Sequence, residues 1–127
     1  MDKYLIDNNV ISNYFSNAFS ERAMSLLANL IDNVPNLSVI TKIEALSWRN
    51  PNVTKENIVR IFVNSSNIIP LTDTIVEKCI DIRRNCKVKT PDAIIAATAL
   101  VNDFILITSD SDFNPIPNLK LINPFNW

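Results

Sequence analysis

Short apolar runs alternate along this chain with segments in which apolar residues recur at helical spacing, and this alternation restricts the fold more than any other feature. The clearest runs are Tyr4–Ile6, Leu37–Ile40 and Phe104–Thr108. Runs this short and this apolar are typical of strands buried on both faces of a parallel sheet. We therefore predict an α/β fold in which helices cover both faces of a parallel sheet.

The segments between these runs carry helix-start and helix-stop residues. Weaker strand signals occur at Ile68–Leu71 and Leu119–Ile122. Neither a repeat nor a linker interrupts the 127 residues, so we expect one domain over residues 1–127. Helices are predicted over 10–15, from the cap Ser20 to a stop at Pro35, from Thr41, from the cap Thr54 with Ile58, Ile61 and Phe62 on one face, over 73–85, and from Pro91 to about 102.

Two absences from the composition exclude whole classes of function. The chain has no glycine, so it cannot build the glycine-rich loops that bring a backbone close to the phosphates of nucleotides. It also has no histidine, which removes Ser-His and Cys-His nucleophile pairs. The remaining chemistry must rely on carboxylates, hydroxyls, lysine or a metal ion. Asn, at eighteen positions, is expected to take the turn and helix-end roles that Gly usually fills.

Charge and cysteine usage bear on partners and compartment. A formal net charge of -1 provides no overall positive field to attract nucleic acid. Cys79 and Cys86 are predicted to lie too far apart on one helix for a disulfide. The apolar segment Ile94–Thr108 is interrupted by Asn102 and Asp103, so no membrane span is expected. Free thiols and the lack of a signal segment predict a cytoplasmic protein.

Four acidic residues from distant parts of the chain are predicted to meet at one edge of the sheet. Asp7 and Asp110 each come just after a predicted strand, Glu44 follows the second strand by one helical turn, and Asp92 lies at the start of a helix. Ligands of open α/β sheets bind beyond the carboxyl ends of the strands. Because bare carboxylates repel one another, their convergence indicates a cation site.

Each of these acids also has a purely structural interpretation. Asp7 and Asp110 can be turn residues. Thr41 and Glu44 have the spacing of a capping box, and Asp92 suits the positive end of a helix dipole. The basic cluster of Arg83, Arg84, Lys87 and Lys89 is either a phosphate clamp beside the acids or a solvated helix end. Trp48 is interpreted as a core or interface residue rather than a base-stacking surface.

The motifs around the four acids resemble, over nearly the whole chain and in order, those of PIN-domain ribonuclease toxins of the VapC type. The third segment is the most specific. Asn8 departs from the pattern, since the family usually has Thr or Ser there. The segments that carry the resemblance are Tyr4–Ser12, Leu37–Leu46, Pro91–Ala99, Ile105–Phe113 and the ending Ile122–Phe125.

This resemblance implies a Rossmann-like parallel sheet, a Mg²⁺ or Mn²⁺ site, endonucleolytic cleavage of RNA, a cognate antitoxin protein and a homodimer. Asp7, Glu44, Asp92 and Asp110 match the catalytic and metal-binding acids of the family. Supporting roles are implied for Asn9, Thr108 and Asp112. Trp48, Phe62 and the Phe15–Phe19 region are candidates for the surface through which the chain associates.

Other classes of protein fit the sequence less well. An aspartyl-phosphate phosphatase needs a second Asp two positions after Asp7, where this chain has Asn9. A Mg²⁺-binding receiver domain needs paired acids near the first strand and a lysine after the last, whereas Lys120 lies within or before the last strand. A PIN scaffold that binds RNA or protein without cutting it remains open, and a cleavage assay separates it from the nuclease.

Overall fold

The computed structural model describes residues 2–127 as a five-stranded parallel sheet with helices on both faces. The predicted α/β class is therefore confirmed. The strands are β1 (Tyr4–Ile6), β2 (Asn36–Ser38), β3 (Asn67–Ile69), β4 (Ile105–Ile107) and β5 (Leu121–Ile122). The helices are α1 (Asn8–Phe15), α2 (Glu21–Asp32), α3 (Val39–Ser47), α4 (Val53–Asn64), α5 (Asp73–Asn85) and α6 (Thr90–Val101), and two 3-10 turns cover Ser111–Phe113 and Pro124–Asn126.

The spatial order of the strands is β3-β2-β1-β4-β5, with every neighbouring pair parallel. The chain moves outward from β1 in one direction to β2 and β3, and later returns to the other side of β1 with β4 and β5. The order reverses between β1 and β4, and open α/β sheets bind their ligands at the carboxyl ends of such a strand pair.

Two apolar clusters lie on the two faces of this sheet. One packs α5 and α6 around Leu5, Leu106 and Phe113, and the other packs α1 to α4 around Ile6 and Ile107. Consecutive residues of β1 and of β4 thus enter opposite clusters, because successive side chains of a strand point to opposite faces. This two-sided burial accounts for the continuous apolar runs in the sequence.

Three helix starts differ from those predicted. The run predicted as a strand over Leu37–Ile40 ends at Ser38, whose hydroxyl accepts the Thr41 N–H at 3.0 Å and caps α3. Thr41 therefore lies inside the helix, and the capping box with Glu44 does not form. The cap of α4 is Asn52 rather than Thr54, and α1 begins at Asn8 rather than Val10.

The predicted apolar face of α4 was partly wrong. Phe62 is buried, but Ile58 and Ile61 are exposed, and Val59 and Val63 complete the inward face instead. Phe62 and Phe19, proposed as association surface, are 8% and 7% exposed and belong to the core. The strands predicted over Phe104–Thr108, Ile68–Leu71 and Leu119–Ile122 are shorter than expected, whereas α5 has the predicted bounds and α6 matches to within a residue.

Left-handed backbone positions show how a chain without glycine makes its turns. Asn17, Asp103 and Asn118 adopt φ between 54° and 66°, which Asn and Asp tolerate better than other residues. Val34, with φ 52°, is the exception, and nothing in the structure explains it. Both cysteines are free, as predicted, and none of the helices within residues 2–127 is long and apolar enough to cross a membrane.

Candidate metal-binding active site

The candidate site lies at the carboxyl ends of β1 and β4, where the strand order reverses. Asp7 directly follows β1 and is the N-cap of α1. Thr108, Ser109 and Asp110 directly follow β4, and the Asp7 N–H donates to the Ile107 carbonyl at 3.0 Å, which joins the two strand ends. The topology thus brings the first and fourth sequence motifs together.

Asp7 is 6% exposed, and hydrogen bonds hold both of its carboxylate oxygens. Oδ1 accepts the Asn8 N–H at 2.8 Å. Oδ2 accepts the Asn9 side-chain amide at 3.0 Å and the Thr108 hydroxyl at 2.8 Å. The supporting roles predicted for Asn9 and Thr108 therefore have a geometric counterpart, since both side chains orient Asp7.

A further layer of hydrogen bonds orients Asn9 and Thr108 themselves. The Asn9 amide oxygen accepts the Ser109 N–H at 3.2 Å and the Ser109 hydroxyl at 3.1 Å. The Thr108 hydroxyl oxygen accepts Asn9 Nδ2 at 3.2 Å and the Asp110 N–H at 3.1 Å. Sequence reasoning missed Ser109, and its only signal was its position between Thr108 and Asp110.

Asp92, Asp110 and Asp112 form the tightest group of acids, with one carboxylate oxygen of each within 4.8 Å of the other two. Asp92 lies in the first turn of α6. Asp110 caps the 3-10 turn Ser111–Phe113, and its Oδ1 accepts the Asp112 N–H at 2.9 Å. Asp112, expected to play a supporting part, is thus a full member of this acidic group.

Asp7 and Glu44 interact with this acidic group electrostatically. Burial raises the pKa of Asp7, with smaller contributions from the negative charges of Asp92 and Asp110, against the lowering effect of the hydrogen bonds from Thr108 and Asn8. Desolvation raises the pKa of Glu44, followed by the charges of Asp7 and Asp92. The charge of Asp7 thus acts on Glu44, and the charge of Asp92 acts on both Asp7 and Glu44.

Asp92 combines the same influences. Desolvation raises its pKa, the charges of Asp110 and Asp112 raise it further, and the charge of Lys89 lowers it. The site thus collects carboxylates whose ionised forms are disfavoured by burial and by one another. Carboxylate oxygens are the ligands that Mg²⁺ and Mn²⁺ prefer, and a divalent cation would relieve the repulsion. The donor set therefore fits such an ion.

The four basic candidates do not share one location. Lys89 immediately precedes α6 and acts on Asp92. Arg83 donates to the Val88 carbonyl at 3.3 Å, and with Arg84 it lines a shallow groove that also includes Cys79 and Ile80. Lys87 is exposed in the connection between α5 and α6. Among the four, Lys89 is the one whose charge acts on a site carboxylate.

Comparison with known proteins places this fold in a family. The PIN domain model matches residues 4–119. A toxin–antitoxin complex from Klebsiella pneumoniae contains a chain 29% identical, with a TM-score of 0.72, and the match covers 96% of this chain and 98% of that one. DNA-bound VapBC from Salmonella typhimurium contains a chain 19% identical with a TM-score of 0.81, covering 98% and 99%. A search of curated proteins found no match.

FitAcB from Neisseria gonorrhoeae contains a further similar chain, 23% identical with a TM-score of 0.76, and the match covers 98% of this chain and 99% of that one. The fold and the acidic edge of the sheet define a PIN-type α/β domain. The chain belongs to the PIN domain family, and it shares its fold with chains of solved VapBC structures.

Proposed function

We propose that this protein is a metal-dependent endoribonuclease and the toxin of a toxin–antitoxin pair. The observation that carries the proposal is the convergence of carboxylates at the carboxyl ends of β1 and β4. The chain belongs to the PIN domain family, which includes nucleases. A structural role as caps does not account for the trio, because Asp92 and Asp112 come from separate elements and crowd one another.

The carboxylates divide into an anchored acid and more accessible ones. Asp7, Asp92, Asp110 and Glu44 would hold Mg²⁺ or Mn²⁺, with Asp112 joining Asp92 and Asp110. Asp7 is fixed by three hydrogen bonds and supplies a preset ligand position. When bound, the cation lowers the pKa of a coordinated water and offsets the negative charge of the reacting phosphate.

The side chains of this protein position the reactants and move the proton. Asp92 or Asp110 is the candidate to orient the attacking water or accept its proton, because both carboxylates belong to the acidic trio beside which that water would lie. Attack by that water oxygen on phosphorus breaks the bond between phosphorus and the 3′ oxygen. The 3′ oxygen takes a proton from solvent and becomes the 3′-hydroxyl of the upstream fragment, and the downstream fragment keeps the phosphate on its 5′ end. Lys89, next to Asp92, provides a positive charge for the incoming strand.

A cleavage assay tests the proposal directly. Purified protein should cut single-stranded and structured RNA with Mg²⁺ or Mn²⁺ and leave 5′-phosphate ends. Excess chelator, Asp92→Asn or Asp110→Asn should reduce the rate by at least about a hundredfold, since each removes part of the charge stabilisation in the transition state. Undiminished cleavage by both variants would overturn the proposal. A non-catalytic PIN scaffold or a receiver-like domain would bind Mg²⁺ without cutting RNA.

A melting series tests the cation site without any substrate. Mn²⁺ or Mg²⁺ should stabilise the wild type by roughly 2.7 kcal/mol at a hundredfold excess over its dissociation constant. Asp110→Asn and Asp112→Asn should gain clearly less, because each removes one member of the trio. The matched control is Asp103→Asn, an exposed acid paired with Lys120 outside the acidic trio, which should respond to metal like the wild type.

The partners that we propose are an antitoxin protein and a second copy of this chain, in the cytoplasm. The antitoxin is supported by the Klebsiella pneumoniae relative, which was solved as a toxin–antitoxin complex. The homodimer is supported by exposed apolar side chains, among them Ile43 of α3 and Ile80 of α5. Co-purification of the chain with the product of a neighbouring small gene, and inhibition of cleavage in that complex, test the antitoxin.

A further inference from the structure

A cavity of about 560 Å³ opens between α1, α3 and α4, directly beside the candidate site. Glu44 lines this cavity, and the charges of Asp7 and Asp92 act on the same side chain. Glu44 therefore belongs both to the cavity wall and to the group of acids at the edge of the sheet.

Aromatic side chains provide the apolar part of the cavity wall. Trp48, at the end of α3, is 43% exposed, and Phe15, at the end of α1, is 37% exposed. The Phe15 ring is held edge-on by Tyr14 and Phe62, with centroid distances of 5.2 and 5.4 Å. Flat, partly exposed rings of this kind are the surfaces on which bases of single-stranded RNA stack.

Polar groups on the same wall are available to a ligand. Asn8 enters the Asp7 network through its backbone N–H, which leaves its side-chain amide for other partners. Ser12 accepts a hydrogen bond from Ser16 through its carbonyl oxygen, which leaves its hydroxyl free to donate. Lys55 of α4 adds a positive charge to the cavity wall. The aromatic surface, the hydrogen-bonding groups of Asn8 and Ser12, and the positive charge of Lys55 together suit a nucleotide better than they suit a wholly apolar side chain.

We propose that this cavity binds one base of single-stranded RNA, the base next to the scissile phosphate. The assignment rests on the proposed nuclease function and deepens it. The base stacks on Trp48, its edge bonds to the amide of Asn8 or the hydroxyl of Ser12, and Lys55 contacts a neighbouring phosphate. Trp48 is then a substrate-binding residue rather than only a core or interface residue.

A pair of ligands that differ only in the base tests binding without cleavage. The protein is prepared with Trp127→Phe, so that Trp48 is the only remaining tryptophan of the two in the chain. Nucleoside 5′-monophosphates, titrated with Mg²⁺ present, should quench Trp48 fluorescence in a saturable way. Ribose 5-phosphate, which lacks the base, should not. Equal responses to both ligands, or no response to either, would overturn the proposal.

Variants of Trp48 extend the test to substrate turnover. Trp48→Leu should raise KM for a single-stranded oligoribonucleotide by about fivefold to a hundredfold, the range expected for loss of one stacked base, with a smaller change in kcat. Trp48→Phe should retain most of the affinity, since it keeps an aromatic face. Ile61→Ala, which changes an exposed apolar residue of α4 outside this cavity, is the control and should leave KM unchanged.

The outcomes separate this proposal from the nuclease proposal. If the wild type cuts RNA but Trp48→Leu has the KM of the wild type, the base-binding cavity is overturned and the nuclease stands. If nucleotides quench Trp48 fluorescence and ribose 5-phosphate does not, but no RNA is cut with either metal, the nuclease is overturned and base binding stands. Melting curves of the Trp48 variants confirm that each is folded.

Discussion

At the scale of single residues, Asp7 and Asp92 differ in the groups that surround their carboxylates. The carboxylate of Asp7 accepts three hydrogen bonds, and the Asn9 amide that donates one of them cannot flip, because its oxygen already accepts two hydrogen bonds from Ser109. Asp92 lies against other carboxylates instead. Neutralising these two acids should therefore have opposite effects on the metal-free protein.

Asp7→Asn should lower the stability of the metal-free protein by about 1–3 kcal/mol. With its oxygen kept on the Asn8 N–H, the new amide nitrogen would face the Asn9 amide, which is also a donor. Urea denaturation in excess chelator measures the change. Full wild-type stability of Asp7→Asn would contradict this account.

Asp92→Asn should become more stable relative to the wild type as the pH rises. The folded protein raises the pKa of Asp92 above its ordinary value of 3.8, so it holds that proton more tightly than the unfolded chain does. The contribution of Asp92 to folding stability therefore falls as pH increases from about 3.8 through the raised pKa. Asparagine removes that pH dependence. Urea denaturation at several pH values in chelator measures the difference.

The control for this series is Asp73→Asn, since Asp73 lies in the first turn of α5 as Asp92 does in α6. Asp73 should act as an ordinary helix-start acid, and its neutralisation should cost about 0.3–1 kcal/mol at neutral pH. If Asp92→Asn loses as much stability at neutral pH as Asp73→Asn does, the carboxylates around Asp92 do not disfavour its ionised form.

At the scale of elements, the helix that carries Glu44 shows what sequence patterns predict and where they fail. The apolar run and the helix after it were both predicted, but the boundary between them was placed two residues too late. Ser38 and Thr41 are both capping residue types, and the sequence offers no local reason to prefer one. The choice of Ser38 as the cap depends on tertiary packing. Both side chains are fully buried, and the Ser38 hydroxyl donates a hydrogen bond to the Thr41 hydroxyl at 3.1 Å.

Elements with a strong amphipathic pattern were predicted well. The bounds of α5 were predicted, and α6 was marked by its Pro91 start. The face of α4 was wrong because Ile58, Ile61 and Phe62 satisfy helical spacing nearly as well as Val59, Phe62 and Val63. Choosing between two such stripes depends on which neighbours pack against the helix, and that information is tertiary.

Ser38→Ala should reduce cleavage more than a cap mutation elsewhere that costs the same stability. Loss of the cap should destabilise the protein by about 1–2 kcal/mol and loosen the first turn of α3, which orients Glu44. A displacement of a reacting group by about 1 Å can cost about a hundredfold in rate, so a loss of kcat of about tenfold is expected. Cleavage assays on folded protein measure it.

Ser20→Ala is the matched control, because Ser20 caps α2, which bears none of the candidate acids. It should lower the melting temperature by a similar amount and leave kcat unchanged. Equal losses of activity in both variants would mean that stability alone explains the effect, and that the cap of α3 does not position Glu44.

At the scale of the whole molecule, the position of the site followed from topology, but its full membership did not. Acids placed after parallel strands were expected to meet at one edge, and the order reversal between β1 and β4 brings them there. Asp112 lies beside Asp110 and Asp92 because a 3-10 turn follows Asp110. Ser109 belongs to the site because it donates hydrogen bonds to Asn9, which is 100 residues away in the sequence. Neither placement has a periodic sequence signal.

The same scale shows an apolar surface away from the active-site edge. One shallow groove includes Ile43, Ile68 and Pro70, and a second includes Leu71 and Ile80. Pro70 of the first groove and Leu71 of the second are consecutive residues, and Ile43, Leu71 and Ile80 are each about half exposed. Large exposed apolar faces mark association surfaces, and two copies of one chain most often meet through a shared, self-complementary patch.

Ile80→Glu should therefore convert the proposed homodimer into a monomer. A charge placed at the centre of an apolar interface has to be desolvated without a partner, which costs several kcal/mol and weakens association by orders of magnitude. Light scattering at roughly 50 µM, well above a dissociation constant of about 1 µM, should find wild-type dimers and Ile80→Glu monomers. Ile61→Glu changes an exposed residue of α4 that lines neither groove, so this variant should remain dimeric. A wild-type monomer at that concentration would contradict self-association, and a dimer that resists Ile80→Glu but not Ile61→Glu would move the interface to α4.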